Sequence, residues 1–117
     1  MTDDAPLLFF GDSYRYPEIY HATGFLAPDP QVVLERGDEL VLLTNSLEER
    51  RASTQSRATT IENVDAFGAR ELNATMHPIT DATAALIERF LVAHGATRIR
   101  VPQRFPLALA DRLRAKG

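Results

Sequence analysis

The sequence has 117 residues, enough for one domain with a substantial core but short for two. Apolar residues make up 44% and charged residues 25%, the composition of an ordinary globular protein. The net charge is −3 with both signs scattered along the chain, which excludes the basic footprint of a nucleic-acid-binding protein. No run approaches the roughly 20 apolar residues of a membrane span, and the acidic start lacks a signal-peptide pattern. Cysteine is absent, so disulfides, a thiol nucleophile and cysteine metal sites are excluded. We therefore expect a cytoplasmic protein without nucleic-acid or membrane partners.

The first two elements predicted along the chain are a buried strand and a short helix. Residues 7–10 form a wholly apolar run between Pro6 and Gly11, which is typical of a strand buried on both faces. After a polar turn, Pro17 favours a helix start, because its missing N–H would have no intrahelical partner there. Gly24 favours the left-handed conformation that ends a helix, so the helix is expected to stop at that residue.

A β-hairpin is predicted next. Strand-like runs at residues 31–35 and 39–44 flank Arg36-Gly37-Asp38, a short turn in which glycine supplies the positive φ. Asn45 or Ser46 then occupies the position expected of a helix cap, ahead of an acidic first turn.

The middle of the chain gives weaker signals. A short, charged helix is expected at residues 47–53, followed by a polar loop at residues 54–57. Residues 59–64 are rich in β-branched side chains and predict a strand. Residues 65–77 show no clear period, so we expect irregular structure there, with a helical turn at most.

The strongest predicted helix follows Pro78 and ends before Gly95, with Thr80 or Asp81 expected to cap it. Its apolar stripe is wide, and Val92 falls within an arc that is otherwise charged. A helix this apolar is expected to pack on a sheet and also to touch another surface. The stripe comprises Ala82, Leu86, Ile87, Phe90, Leu91 and Ala93.

The chain is predicted to close with a strand at residues 98–101 and a helix that begins at Pro106 and reaches a glycine cap at Gly117. The order β, α, β, β, α, β, α, β, α favours an α/β fold, a three-layer sandwich with a mixed sheet. A further strand should follow the last helix, so we expect the front part of a longer polypeptide. An open sheet edge or the apolar helix is expected to support self-association.

Gly11-Asp12-Ser13 after the first strand is similar to the nucleophile block of GDSL-type hydrolases, in which an exposed serine follows a buried strand. A serine nucleophile also needs a histidine base and a third group that orients it. GDSL enzymes place an aspartate three residues before that histidine, and this spacing occurs at none of the three histidines here. Ser13 is therefore expected to be a turn or cap hydroxyl.

Metal and phosphate sites are not predicted. The chain has no paired-histidine motif, and its carboxylates fall at turns and helix starts, where caps and helix dipoles explain them. Its glycines stand alone rather than in a phosphate-binding loop. His77 is expected in a loop, and His94 is expected to complement the dipole at the end of the long helix.

Three motifs along the chain point to a known family. Tyr20-His21-Ala22-Thr23-Gly24-Phe25 follows the first helix, Asp29-Pro30 precedes the hairpin, and Leu47-Glu48-Glu49-Arg50-Arg51-Ala52 follows the second hairpin strand. In this order they resemble the amino-terminal domain of the creatinase, prolidase and Xaa-Pro aminopeptidase ("pita-bread" metallopeptidase) family, above all its bacterial and archaeal Xaa-Pro peptidases. Ile99-Arg100-Val101-Pro102 and the last helix match the layout of that domain without a sharp motif. His21-Ala22 departs from the family pattern, which has an aromatic residue and a leucine there.

This resemblance implies a three-layer α/β domain with a ribonuclease H-like motif that carries no catalytic residue. In the family, the metal ligands lie in a carboxy-terminal catalytic domain, so none is expected here. Two divalent ions, typically manganese, cobalt or zinc, activate a hydroxide there against the peptide bond before proline. The amino-terminal domain shapes the substrate entrance and helps to form a homodimer. Creatinase relatives act on creatine without a metal, so the fold does not decide the chemistry.

The tyrosines around the first helix are one group of candidate functional residues. They are expected to be packing residues or, if functional, to contribute to a substrate entrance or a domain interface. The group comprises Tyr14, Tyr16 and Tyr20.

The arginines around the second helix are the other candidate group. They are expected either to form a solvated face with Glu48 and Glu49 or to reach the active site of a neighbouring subunit, where a cation could hold a substrate carboxylate. The group comprises Arg50, Arg51 and Arg57.

The preferred interpretation is a non-catalytic amino-terminal domain, at residues 1–117, that serves dimer assembly and substrate gating for its own catalytic domain. By itself it is expected to be inactive. Two alternatives remain at this point: a truncated GDSL-type esterase with Ser13 as nucleophile, and a free-standing dimerisation or binding module. The substrate and metal of the parent enzyme stay open, as does the choice between a peptidase and a creatinase-like hydrolase.

Overall fold

The structure, a computed structural model, describes residues 5–115, and a mixed sheet lies at the centre of this part of the chain. β1 pairs antiparallel with β2, β2 pairs antiparallel with β3, and β3 pairs parallel with β4. The predicted hairpin is therefore confirmed. The strands are β1 (Leu7–Gly11), β2 (Gln31–Arg36), β3 (Glu39–Thr44) and β4 (Thr60–Asn63), in that order across the sheet.

Five α-helices flank this sheet in residues 5–115. The first begins at Pro17 and the second is capped by Asn45, whose side-chain oxygen accepts the N–H of Glu48 at 3.0 Å, as the sequence predicted. The second helix runs to Gln55, two residues beyond its predicted end. The helices are α1 (Pro17–Thr23), α2 (Ser46–Gln55), α3 (Ala69–Thr75), α4 (Ile79–Ala93) and α5 (Leu107–Ala115).

The expectation of irregular structure at residues 65–77 is wrong. A 3₁₀ turn at Val64–Phe67 leads directly into α3. Leu72 of α3 packs with Ala82 and Ala85 of α4 in a small cluster of its own. A seven-residue helix is marginal by itself, so this contact with α4 explains a helix that local sequence did not reveal.

Two further expectations need correction near α4 and at the predicted last strand. Pro78 is the residue at the N-cap of α4 and provides no side-chain bond, whereas Asp81 instead accepts a hydrogen bond from Arg112 at 2.6 Å. The strand expected at residues 98–101 is reduced to a single parallel bridge between Arg100 and Leu7. Pro6 and Pro102 lie beside this bridge and have no N–H to donate, which limits the ladder. The predicted cap at Gly117 lies outside the described residues.

Apolar side chains on the two faces of the sheet form separate cores, which gives the three layers that the sequence predicted. The side chains of β2 and β3 alternate between the faces, because successive residues of a strand point to opposite sides. One core joins the sheet to α4 and α5 and includes Leu8, Val32, Leu34, Val41, Leu43, Ile87, Phe90 and Leu109. The other joins the sheet to α1 and α2 and includes Phe9, Ile19, Phe25, Val33, Leu42 and Ala52. Within residues 5–115, no helix combines the length and apolarity that crossing a bilayer requires.

Candidate functional site

Ser13 lies at the turn after β1, and its hydroxyl is used entirely within the fold. The side chain is 3% exposed. Its Oγ accepts the N–H of Ala27 at 2.7 Å and lies 3.3 Å from the Ala27 carbonyl, to which it donates. The backbone N–H of Ser13 donates to the same carbonyl at 3.2 Å. A nucleophile must reach a substrate, whereas this hydroxyl joins two loops, so the structure favours the turn role that the sequence predicted.

Asp12 next to it is buried and ionised. Its carboxylate accepts the backbone N–H of Arg15 at 2.9 Å and the Arg15 Nε–H at 2.7 Å. Burial alone would raise the pKa of Asp12, but the hydrogen bonds and the positive charge of Arg15 outweigh it and hold that pKa below its ordinary value. The turn is therefore fixed by a local ion pair whose carboxylate is shielded from solvent.

The threonine–glycine–phenylalanine part of the family-like motif forms the exit of α1. Thr23 Oγ1 donates to the Ile19 carbonyl at 2.8 Å and accepts the N–H of Phe25 at 3.0 Å. Gly24 has φ +66° and its N–H reaches the Tyr20 carbonyl, which ends the helix in a left-handed residue as predicted. The side chain of Phe25 then lies in the core beside β2 and β3. All three residues of this part of the motif are therefore explained by how they end α1 and lead the chain into the core.

Arg51 and Arg57, two of the three candidate arginines, hold this exit in place. Arg57 donates from Nη1 to the His21 carbonyl at 2.7 Å and to the Ala22 carbonyl at 3.4 Å, so it caps the end of α1. Arg51 donates from both terminal nitrogens to the Leu26 carbonyl, each at 3.1 Å. Arg51 also pairs with Glu48, as expected for a face shared with the acidic first turn.

The third arginine differs from the other two. Arg50 is exposed, and its side chain makes no hydrogen bond or ion pair with any residue between 5 and 115. The functional role of the cluster stays a prediction. Arg57 is exposed as well, so Arg50 differs from it in having no side-chain partner among residues 5–115.

The three tyrosines separate into two environments. Tyr14 is 60% exposed and Tyr20 is 49% exposed. The ring of Tyr16 is half buried: it packs against Gly11, and the Arg104 guanidinium lies 5.3 Å from its centroid. Tyr16 therefore behaves as a packing residue, while Tyr14 and Tyr20 have the exposure that an entrance or an interface would need.

Between residues 5 and 115, the histidines and acidic residues do not converge into a metal site. His94 at the end of α4 contacts Glu62 of β4, with 2.6 Å between Nε2 and Oε1, and its ring lies against Phe90. His21 and His77 are both exposed. No group of three or more potential metal ligands occurs in the described range 5–115. The contact between His94 and Glu62 spans 32 residues and could not be read from the sequence.

One feature that sequence reasoning missed is a cleft of about 550 Å³ between α4, the segment after it and α5. Leu91, Val92 and Leu113 form its helical walls, and Ile99 and Val101 form its floor. Val92 is 73% exposed at its edge. The signal for this cleft was the placement of Val92 in a charged arc, which indicated a second contact surface without showing where it was.

Comparisons with known proteins identify the fold. No family model and no curated protein matches the chain. The X-Pro aminopeptidase from Thermotoga maritima MSB8 matches with a TM-score of 0.64 and 13% identity, over 95% of this chain and 28% of that one. The prolidase from Pyrococcus horikoshii OT3 matches with a TM-score of 0.59 and 16% identity, over 96% of this chain and 25% of that one. The XXA-pro aminopeptidase from Streptococcus pyogenes gives a TM-score of 0.58 and 16% identity, over 96% and 70% of the two chains.

These identities are too low to establish more than the fold, and the chain spans only about a quarter of the length of the first two structures. At least 95% of its length nevertheless corresponds to one part of each of them, which agrees with the resemblance that the motifs at residues 20–25 and 47–52 carry. The chain therefore has the α/β fold of a domain found in solved prolidase and Xaa-Pro aminopeptidase structures.

Proposed function

We propose that this chain is the non-catalytic amino-terminal domain of an Xaa-Pro aminopeptidase- or prolidase-like hydrolase. The observation that carries the proposal is the asymmetry of coverage: 95% of this chain corresponds to 28% of the Thermotoga maritima enzyme. A domain that accounts for so small a share of such a structure leaves room for a separate catalytic unit. In this proposal the domain serves subunit assembly and the substrate entrance, and the catalytic domain is its partner.

Metal chemistry belongs to the catalytic domain in this proposal. The residues described here do not fit a divalent metal site, because their histidine and carboxylate side chains do not converge in threes. We therefore derive no metal-dependent step for this chain. Two divalent ions of the manganese, cobalt or zinc type would be held outside it.

The loop between β1 and β2 is the surface we assign to the entrance or to the subunit interface. Ser13, Arg51 and Arg57 make this loop rigid through bonds to backbone carbonyls and N–H groups. Tyr14 and Tyr20 are exposed on it. A rigid loop with exposed tyrosines has the composition of a recognition surface, because tyrosine gives a large contact area with little loss of conformational entropy.

The proposal is tested by a matched pair of proteins. One is the 117-residue chain, and the other is the product of the same gene read beyond the codon for Gly117. With an Xaa-Pro dipeptide and added manganese, we expect hydrolysis by the longer product alone. Turnover by the 117-residue chain above the background of buffer and metal would overturn the assignment, as would a longer reading frame without a metallopeptidase-sized addition.

A second candidate is a free-standing binding or dimerisation module, and the apolar cleft at α4 and α5 favours it. Sedimentation analysis of the 117-residue chain over a wide range of concentrations distinguishes a dimer from a monomer. The serine-esterase alternative has no such support, since the Ser13 hydroxyl is buried and bonded to Ala27.

A further inference from the structure

Two buried side-chain oxygens of the sheet have no hydrogen-bond partner among residues 5–115. They are the amide oxygen Oε1 of Gln31, in β2, and the hydroxyl oxygen Oγ1 of Thr44, in β3. Each of the two residues is only 1% exposed. Roughly 90% or more of buried polar groups are bonded, because a buried group without a partner has given up its bonds to water and gained none. A partner for these two atoms is therefore expected.

The two side chains are neighbours on one face of the sheet. Val32 pairs with Leu43 in the register of β2 and β3, so the next opposed pair is Gln31 and Thr44. Val32 and Leu43 belong to the core of α4 and α5, and successive residues alternate between the faces, so Gln31 and Thr44 lie on the face of α1 and α2. Opposed Cβ atoms of an antiparallel pair are about 5 Å apart. The two oxygens do not bond to each other, but one small partner between them can reach both.

The adjacent positions on the outer strands do not supply a partner. Gly11 opposes Gln31 on the side of β1 and has no side chain. Asn63 pairs with Thr44 on the side of β4, but both ends of its amide are already used. Its Oδ1 accepts the N–H of Asp65 at 2.8 Å, and its Nδ2 donates to the hydroxyl of the first residue of α2 at 3.0 Å. The partner of the two oxygens is therefore not a neighbouring side chain in this row across the sheet.

The orientation of the Gln31 amide determines what kind of partner is needed. Its Nε2 donates to the Asp29 carbonyl at 3.0 Å. Turning the amide over would place an oxygen against that carbonyl oxygen, so Oε1 is the atom that lacks a partner. Oε1 can only accept a hydrogen bond, whereas the Thr44 hydroxyl has a proton to donate. The partner must therefore donate to Gln31 and accept from Thr44.

Water is the ligand that meets these requirements. A water molecule both donates and accepts, and buried waters are typically bound to polar groups that would otherwise be unsatisfied. A hard metal cation takes about six or more oxygen ligands, usually with carboxylates among them, and it would leave the hydroxyl proton of Thr44 without an acceptor. An anion would face the partial negative charge of Gln31 Oε1. Because both residues are buried, a side chain from a separate polypeptide segment cannot enter.

We propose that a single water molecule is bound between Gln31 and Thr44, donating to Gln31 Oε1 and accepting from the Thr44 hydroxyl. Gln31 is the first residue of β2 and Thr44 is the last residue of β3. The water thus joins the two strands where their pairing ends, and through the bond between Gln31 and Asp29 it supports the end of the loop between β1 and β2. The site does not depend on the proposed peptidase assignment, because all of its contacts lie within this domain.

The sign of the effect of Thr44→Val on the melting temperature tests this proposal, because valine has the shape of threonine without the hydroxyl. If the water is bound, the variant breaks the bridge, and we expect the melting temperature to fall by about 4 °C. If the hydroxyl has no partner, the variant removes an unsatisfied buried group, and the melting temperature should rise. Thr60→Val in β4 is the matched control: Thr60 is exposed, so the change should shift the melting temperature by less than about 1 °C.

A crystal structure of the unmodified 117-residue chain tests the water directly and needs no variant to fold. We expect a water oxygen at about 2.6–3.2 Å from both Gln31 Oε1 and Thr44 Oγ1. A direct hydrogen bond between the two side chains, an ion between them, or no water at this position would each overturn the proposal. A melting temperature of Thr44→Val that is unchanged or raised would overturn it as well.

Discussion

Ser13 and Ala27 are joined at both backbone and side chain: the Ala27 N–H donates to the Ser13 Oγ at 2.7 Å, and the Ser13 N–H donates to the Ala27 carbonyl at 3.2 Å. The two residues stand 14 positions apart, one just after β1 and the other just before β2. This pair closes the loop that contains α1. A serine that resembles a nucleophile in the sequence is, in the fold, the residue that holds this loop to the sheet.

Replacing Ser13 with alanine should therefore affect stability. The change leaves the buried Ala27 N–H without its acceptor, which is expected to cost about 1–3 kcal/mol in the free energy of unfolding. Urea denaturation followed by circular dichroism measures it. Ser53→Ala is the matched control, because the Ser53 hydroxyl is exposed and bonds only within its own helix, to the Arg50 carbonyl. Labelling of Ser13 by a fluorophosphonate probe would contradict the structural role.

Gly11 allows the close approach of Tyr16. A Cβ placed at Gly11 would lie 2.5 Å from the Cδ2 atom of Tyr16, and the backbone there has φ +144°. Gly11→Ala should cost about 3 kcal/mol, from overpacking together with backbone strain. Gly37→Ala in the hairpin turn is the comparison: it has φ +60° with nothing within 4 Å, so it should show only the smaller cost of a left-handed backbone, without a clash. Tyr16→Ala should reduce the cost of Gly11→Ala, and equal costs in both backgrounds would contradict the contact.

Arg51 and Arg50 are neighbours in the sequence, but their substitution by lysine should affect the free energy of unfolding differently. Arg51→Lys loses the two-nitrogen grip on the Leu26 carbonyl, because a lysine ammonium cannot reproduce the planar fork of a guanidinium. We expect a loss of about 1 kcal/mol in the free energy of unfolding, modest because the side chain is partly exposed. Arg50→Lys should have no measurable effect on stability. Thermal unfolding of both variants gives their melting temperatures. Equal shifts of the melting temperature for the two would show that Arg51 does not hold the loop.

Because the pKa of Asp12 is lowered in the fold, the free energy of unfolding should depend on pH. Because its folded pKa lies below the unfolded value of about 3.9, ionised Asp12 contributes stability above that value, and the contribution is lost as pH falls through the folded pKa. Asp12→Asn should therefore destabilise the protein at neutral pH, and the deficit should shrink below about pH 4. Urea unfolding across that range measures the deficit, with Asp38→Asn in the hairpin turn as the control for loss of one charge. A deficit of the same size in acid would rule out the ionic contribution.

Local sequence was sufficient to predict the ends of helices where one residue type determines the backbone conformation. Pro17 and Gly24 bound α1, and Asn45 caps α2, as their chemistry predicts. The hairpin follows from two strand-like runs around Gly37. Hydrophobic periodicity did not predict α3, because the stability of this helix comes from the packing of Leu72 on α4 rather than from its own seven residues.

The candidate site was less predictable, because its contacts join distant parts of the chain. Arg57 binds the carbonyl of His21, 36 positions away, and Arg51 binds that of Leu26, 25 positions away. Nothing in the spacing of arginines distinguishes a side chain that grips a backbone from one that faces solvent. The sequence accordingly grouped the three arginines but could not separate Arg50 from its two engaged neighbours.

The bridge between Arg100 and the start of the chain has a consequence for how the protein is made. Arg100 Nε reaches the Ala5 carbonyl across 95 positions, so β1 gains its second neighbour only after nearly all of the described chain has been synthesised. Until then, the outer edge of an apolar strand remains unprotected. Contacts of such high sequence separation slow folding and expose intermediates to aggregation. On the ribosome, β1 should stay exposed along this edge until residue 100 arrives beside a strand formed much earlier.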